Sequence, residues 1–165
     1  MRNSIFTFCL LMFASFFLGV SNASAQSAKD LVGTWKFVVN ETTRADGTKF
    51  DTYGHDPKGL IMFDSGGRFS LFIARPDPVK FASNSRLDGT PDEYKAAIQG
   101  AISYYGTYAV NEEDKTVTFQ IEASSFPNWY GAVQKRPFSI SGDELRFTNA
   151  AGSSGGSVLA VLKRL

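Results

Sequence analysis

The segment LIMFDSGGRFSLFIARP, residues 60–76, reads as two strands joined by a tight turn and is hard to fit to any other local structure. Leu60, Ile61, Met62 and Phe63 are a short apolar run. Asp64-Ser65-Gly66-Gly67 supplies turn residues that tolerate positive φ. Beyond the turn, Phe69, Leu71, Ile73 and Arg75 fall on one face and Arg68, Ser70, Phe72 and Ala74 on the other, because successive strand side chains alternate. Pro76 has no N–H to donate, so pairing should stop there. The hairpin is apolar on much of both faces, which predicts cover on each side.

The same alternation recurs along the chain. In 33–43, Trp35, Phe37 and Val39 share one face, and Lys36, Val38 and Asn40 the other. Residues 48–53 form a short polar strand or loop after an Arg-Ala-Asp-Gly turn. Strands are predicted again at 106–111, at 116–123 with Val117, Phe119 and Ile121 alternating, and at 132–141, 144–148 and 157–164. One helix is signalled over 90–105. Thr90 suits the N-cap, Pro91 the first turn, and Glu93 completes a capping box. Tyr94, Ala97, Ile98, Ala101, Ile102 and Tyr105 form a stripe at helical spacing, predicted to pack on the sheet, with Gly106 as the stop. The polar stretch 75–89 is a long loop of the kind that often forms a lid or binding loop. Eight to ten short strands with tight turns and one inserted helix make an all-β fold, an antiparallel sheet closing on itself as a barrel, in one domain over 26–165.

The N-terminus reads as an address. Arg2 starts a positive segment, 5–20 is apolar and uncharged, and Ala23-Ser24-Ala25 fits a cleavage site. Residues 1–25 are therefore expected to be a signal peptide, with a mature protein that starts at Gln26, is secreted or periplasmic, and has no membrane span. Cys9, the sole cysteine, lies in that segment, so the mature domain must be held by its core. The full chain carries 17 Lys and Arg against 16 Asp and Glu; loss of Arg2 leaves 16 of each. A neutral domain argues against nucleic acid or an anionic surface as partner.

Gly33-Thr34-Trp35 resembles the G-x-W signature of lipocalins. LVGTWKF, DGT, YGHDPKGLIMF, GGRFSLFIARPD, KFAS, LDGTPDEYKAAIQG, YYGTYAV, FPNW and GDELRF together are similar to the bacterial and fungal lipocalin-like domain family, from about Leu31 onward. The resemblance implies a small barrel with an internal cavity and no particular ligand. It also implies that the signature Trp35, beside Gly33, packs under a basic residue of the last strand, with Arg164 in that role or Lys163 as the alternative. The inserted helix departs from the better-known lipocalins, so a ligand such as retinol does not carry over.

Few residues suggest chemistry. His55 is the sole histidine and, beside Asp56, a weak catalytic candidate in a loop. One histidine and no mature cysteine offer little to a metal, and no phosphate loop, dinucleotide fingerprint or nucleophile elbow is present, so no cofactor is expected. Arg75 shares parity with Phe69, Leu71 and Ile73, and Arg136 with Phe138 and Ile140. Each guanidinium should then point into the barrel and serve an anionic ligand group, or pair with an internal carboxylate, or lie at the rim. Tyr53, Tyr108 and Trp129 are candidate pocket walls, Trp129 equally a plug. The leading expectation is a barrel that binds a small apolar or amphipathic molecule, with or without an anionic group. The alternatives are a cofactor-free isomerase, cyclase or hydrolase on a small hydrophobic substrate, and an envelope interaction protein with a filled barrel.

Overall fold

A computed structural model describes residues 27–165; the expected signal peptide, 1–25, lies outside the described residues. A short helix α1 (Ala28–Leu31) leads into β1 (Gly33–Thr43), β2 (Lys49–Asp51), β3 (Lys58–Phe63) and β4 (Arg68–Ala74). Helix α2 (Pro91–Gly100) follows, then β5 (Ala101–Asn111), β6 (Thr116–Ser124), a 3-10 turn (Pro127–Trp129), β7 (Val133–Ser141), β8 (Glu144–Asn149) and β9 (Ser157–Arg164). Each strand from β3 to β9 pairs antiparallel with the next, and β1 pairs with both β3 and β9. That closes an eight-stranded antiparallel barrel. The short β2 adds a ninth strand beside the far half of β1, through Glu41↔Asp51 to Thr43↔Lys49. Closure leaves none of the eight barrel strands as a bare edge.

Strand alternation places the core. Ile61 and Phe63 of β3, Phe69, Leu71 and Ile73 of β4, and Val117, Phe119 and Ile121 of β6 are buried and point inward. On β5 the inward set is Ile102, Tyr104, Gly106 and Tyr108. Gly106 sits at a register shift between β5 and β6. A Cβ there would be driven into the carbonyl oxygen of Gln120, so the strands can approach only because the side chain is missing.

Four expectations need correction. The helix ends at Gly100, not at 105. Ala101, Ile102 and Tyr105 satisfy a period of 3.6 from Tyr94, but Ile102, Tyr104, Gly106 and Tyr108 also satisfy a period of two, and pairing with β4 and β6 decides for the strand. Nor does α2 pack on the sheet: none of its residues is buried, and an open groove separates Tyr94, Ala97 and Ile98 from Phe72. With no linker between Gly100 and β5, the helix is tethered at the barrel mouth. The outer side of the β3–β4 hairpin is likewise uncovered, with Leu60, Met62 and Phe72 exposed. Finally, a bulge between Phe37 and Val39 reverses the parity of β1. Trp35 and Phe37 point inward as read, but beyond the bulge Thr42 is buried and Asn40 lines the interior.

Candidate functional site

The two ends of the barrel differ. At one end α1, begun by a capping box in which the Ser27 N–H donates to the Asp30 carboxylate at 2.7 Å, lies across the opening with Leu31 fully buried. The Trp35 indole N–H donates to Leu31 O at 2.8 Å. The Arg164 guanidinium stacks over the Trp35 ring at 4.0 Å and donates to Val32 O at 2.9 Å and Asp30 O at 2.7 Å. Gly33, at φ 130, leaves room for that guanidinium: a Cβ would lie 3.1 Å from Arg164 Nη1. Tyr108 belongs to this end too. Its hydroxyl donates to Asp64 O at 2.8 Å in the β3–β4 turn, and its ring meets Phe63 edge-on at 4.9 Å. Burial, then the nearby Asp64 carboxylate, raise its phenol pKa. It is floor structure, not a pocket wall.

The other end is open. Above the layer of Phe69, Phe119 and Phe147 lies a cavity of about 40 Å³, walled by Phe37, Leu71, Ile73, Ile102, Tyr104, Trp129 and Phe147. It shares Thr52, Tyr53, Ile102, Ser153 and Ser154 with a wider vestibule of about 520 Å³ at the mouth. The cavity alone is well below the roughly 300–1,000 Å³ of ligand sites, whereas the two together fall inside that range. Tyr53 stands between them, 5% exposed. Burial pushes its phenol up to about 12, against a smaller opposing pull from the Ser153 hydroxyl, so at neutral pH it is a neutral donor. Trp129, carried on the 3-10 turn, meets Tyr104 edge-on at 5.3 Å and Phe126 at 5.8 Å, forming one side of the cavity.

Arg136 lies at the base of this cavity, 2% exposed. Its Nη1 donates to the Tyr104 hydroxyl at 3.0 Å, and its Nη2 donates to Gln134 Oε1, which also accepts from Asn149 Nδ2 at 3.2 Å. Nε has no acceptor. The guanidinium carbon lies 4.7 Å from the centre of the Phe119 ring, 5.5 Å from Phe147, 5.6 Å from Tyr104 and 6.0 Å from Trp129. Those ring faces offset part of the cost of burying the charge. Among the described residues no carboxylate lies within ion-pair distance of it; the pairs formed are all elsewhere.

The structure brings Tyr53, Trp129 and Arg136 around one cavity and leaves the other expected residues outside it. Arg75 does not enter the barrel. β4 ends at Ala74, so strand parity no longer governs it, and its half-exposed side chain borders the vestibule with Asp77 3.8 Å away. His55 is on the surface, its ring 95% exposed, with Nδ1 2.9 Å from Asp51 rather than Asp56. The 75–89 loop, apart from Arg75, lines neither cavity nor vestibule. It folds onto α2, where Phe81 meets Tyr94 at 5.6 Å and Glu93 accepts from the Thr90 and Ala82 N–H groups, which in that order of weight hold its carboxyl pKa low. The loop at the mouth is instead 152–154. Sequence reading missed Tyr104, Gln134 and Asn149 as partners of Arg136. Gln134 shares Arg136's parity, so alternation turns both inward, whereas Tyr104 lies in the 101–105 stretch that fits both periods and is set inward only by pairing with β4 and β6.

No helix among the described residues is long and apolar enough to cross a membrane. The chain is 31% identical over 85 residues to the 4'-hydroxy-3'-methoxypropiophenone carrier protein ppsC of Aspergillus oryzae, a match covering 48% of this chain and 77% of that one. The lipocalin-like domain matches residues 32–162, nearly the whole barrel. With a closed eight-stranded antiparallel barrel, one sealed end and one open end, this chain belongs to the lipocalin-like domain family.

Proposed function

We propose that this protein binds a small, largely aromatic molecule in the open half of its barrel and carries it unchanged. The observation behind this reading is the aromatic-walled cavity that continues into the mouth past Tyr53 and Ser153. Rings stacked or edge-on against Trp129, Tyr104 and Phe147 suit a flat ligand. The relative named as a carrier of an aryl ketone supports the same class of cargo. Because the cavity itself is small, the ligand also occupies the vestibule, with the 152–154 loop and Tyr53 giving way as it seats. Residues 1–25 supply the address that goes with this role, a secretory signal leaving the mature protein periplasmic or secreted.

A second reading, a cofactor-free isomerase or cyclase, draws on one observation: Arg136 and the Tyr104 hydroxyl meet at 3.0 Å inside the cavity. A guanidinium can stabilise a developing oxyanion beside a phenol that moves a proton. Carriage is favoured because the Tyr104 hydroxyl already accepts from Arg136, and because His55, the weak histidine candidate beside a tyrosine for acid or base, lies outside, so among the described residues no carboxylate or imidazole lines the cavity with the pair.

The test is isothermal titration of the protein with propiophenone, alongside an Ile102→Trp variant whose indole fills the cavity. Saturable binding to the wild type, lost in a variant that keeps its strand circular dichroism, supports the reading. Binding that survives the filled cavity refutes it. Recovery of a changed ligand after incubation would move the choice to the enzyme.

A further inference from the structure

Among the described residues that line the cavity, Arg136 is the only charged side chain; the other polar contributors are neutral amides and hydroxyls, such as Asn40, Thr52, Asn149 and Ser153. A guanidinium has five N–H donors. Protein acceptors take two hydrogen bonds from Arg136, at Tyr104 and Gln134. The cavity therefore holds a net positive charge, with donor capacity left over, inside walls that are mostly aromatic. A charge removed from water in this way is costly unless an opposite charge or a full set of acceptors meets it. Aromatic faces supply part of that compensation and carry no formal charge. The one buried phenol bordering both compartments, Tyr53, stays neutral at physiological pH and supplies no counter-charge.

Resting on the binding role argued above, we propose that the bound ligand is an aromatic monoanion, a carboxylate or ionised phenol, with its charged oxygen on Arg136 and its ring against Trp129 and Phe147. The anion completes the donor set of the guanidinium and neutralises the interior. A neutral isostere can do only the first. The cationic groups at the mouth, Arg44 and Arg75, are poorer anchors. Arg44 already lies over the Phe50 ring at 4.1 Å, and Arg75 has Asp77 beside it in a wet site.

A matched pair of probes tests this: cinnamate and cinnamamide, which differ at the charged group and share ring and length. Both are titrated calorimetrically into the wild-type protein, Arg136→Met and Arg75→Ala. Cinnamate should bind about tenfold or more tighter than the amide to the wild type, the difference between a charge-assisted and a neutral hydrogen bond. The preference should vanish in Arg136→Met and persist in Arg75→Ala. Equal affinities of acid and amide for the wild type overturn the proposal, and if Ile102→Trp abolishes both, the binding role stands without it. A preference that survives Arg136→Met, or disappears in Arg75→Ala, also overturns it and moves the anion to the mouth. If neither probe binds at millimolar concentration while propiophenone does, the proposal falls and the carrier reading stands; if propiophenone also fails to bind, both fall. The comparison of probes on the wild type does not depend on any variant folding.

Discussion

Replacing Arg164 with methionine should cost about 2–3 kcal/mol of stability without opening or altering the ligand end of the barrel. The structure supplies the terms. Arg164 donates to two main-chain carbonyls, Val32 and Asp30, in a part-buried setting. Each lost partner costs about 1 kcal/mol at the low end for an acceptor that water can partly re-satisfy. The stack over Trp35 at 4.0 Å adds about 0.5–1 kcal/mol, some of which the methionine recovers by lying on the same ring. Arg164→Lys keeps a charge over the indole but cannot reach both carbonyls with one compact ammonium, so about half the loss is expected. Urea unfolding followed by circular dichroism measures both variants. The midpoint should fall in the order wild type, Lys, Met, with an unchanged slope. A methionine variant within about 0.5 kcal/mol of the wild type would refute the claim that this clamp holds α1 across the barrel. So would a lysine variant as unstable as the methionine one, since the fork geometry would then be irrelevant.

Four further outcomes follow, three from the structure and one from the sequence. The chain has two tryptophans, Trp35 at the sealed end and Trp129 in the cavity wall, so a bound aromatic should quench Trp129 emission and leave Trp129→Phe unresponsive; quenching retained in that variant places the ligand elsewhere. Gly106→Ala should destabilise by about 2–4 kcal/mol, because the new methyl collides with the Gln120 carbonyl and must pry β5 from β6; a thermal midpoint equal to the wild type's would contradict the close approach. Tyr53 has a folded-state pKa near 12 against an unfolded value of 10, so its contribution is fully present below pH 10 and is lost as pH rises through 12, and Tyr53→Phe should flatten stability over that alkaline window. N-terminal sequencing of the exported protein should begin at Gln26, and a chain still starting at Met1 would remove the proposed address.

Much of the barrel was legible because its strands obey a short-range rule. Phe69-Ser70-Leu71-Phe72-Ile73 must put every second residue inside, and the turn at Asp64–Gly67 fixes which strand comes next. The helix start was legible for a similar reason, since Thr90, Pro91 and Glu93 act within one turn. What failed had a non-local cause. Residues 101–105 fit both periods, and only pairing with β4 and β6 selects the strand. The bulge that turns Asn40 inward depends on how β9 lies along β1. Arg75 took the rim, one of the three placements that parity left open, because parity says nothing about where a strand stops. Arg136 was placed inward correctly by parity, but its partner Tyr104 lies 32 positions away and Asn149 on another strand, so the polar base of the cavity exists only once the sheet closes. The short helix α1 went unread, although its Ser27-x-x-Asp30 box carries the same one-turn signal.

The seam that closes the barrel has a practical corollary. Trp35 pairs with Arg164, and the Leu165 N–H donates to Thr34 O at 3.0 Å, so residue 33 and residue 165 leave the sheet side by side at the sealed end. Anything attached through either side of that seam, whether a tether to a surface, a fused domain or an immobilising tag, holds the molecule by its base and turns the mouth outward. A protein fixed to a sensor chip in this way would present its vestibule to the flow.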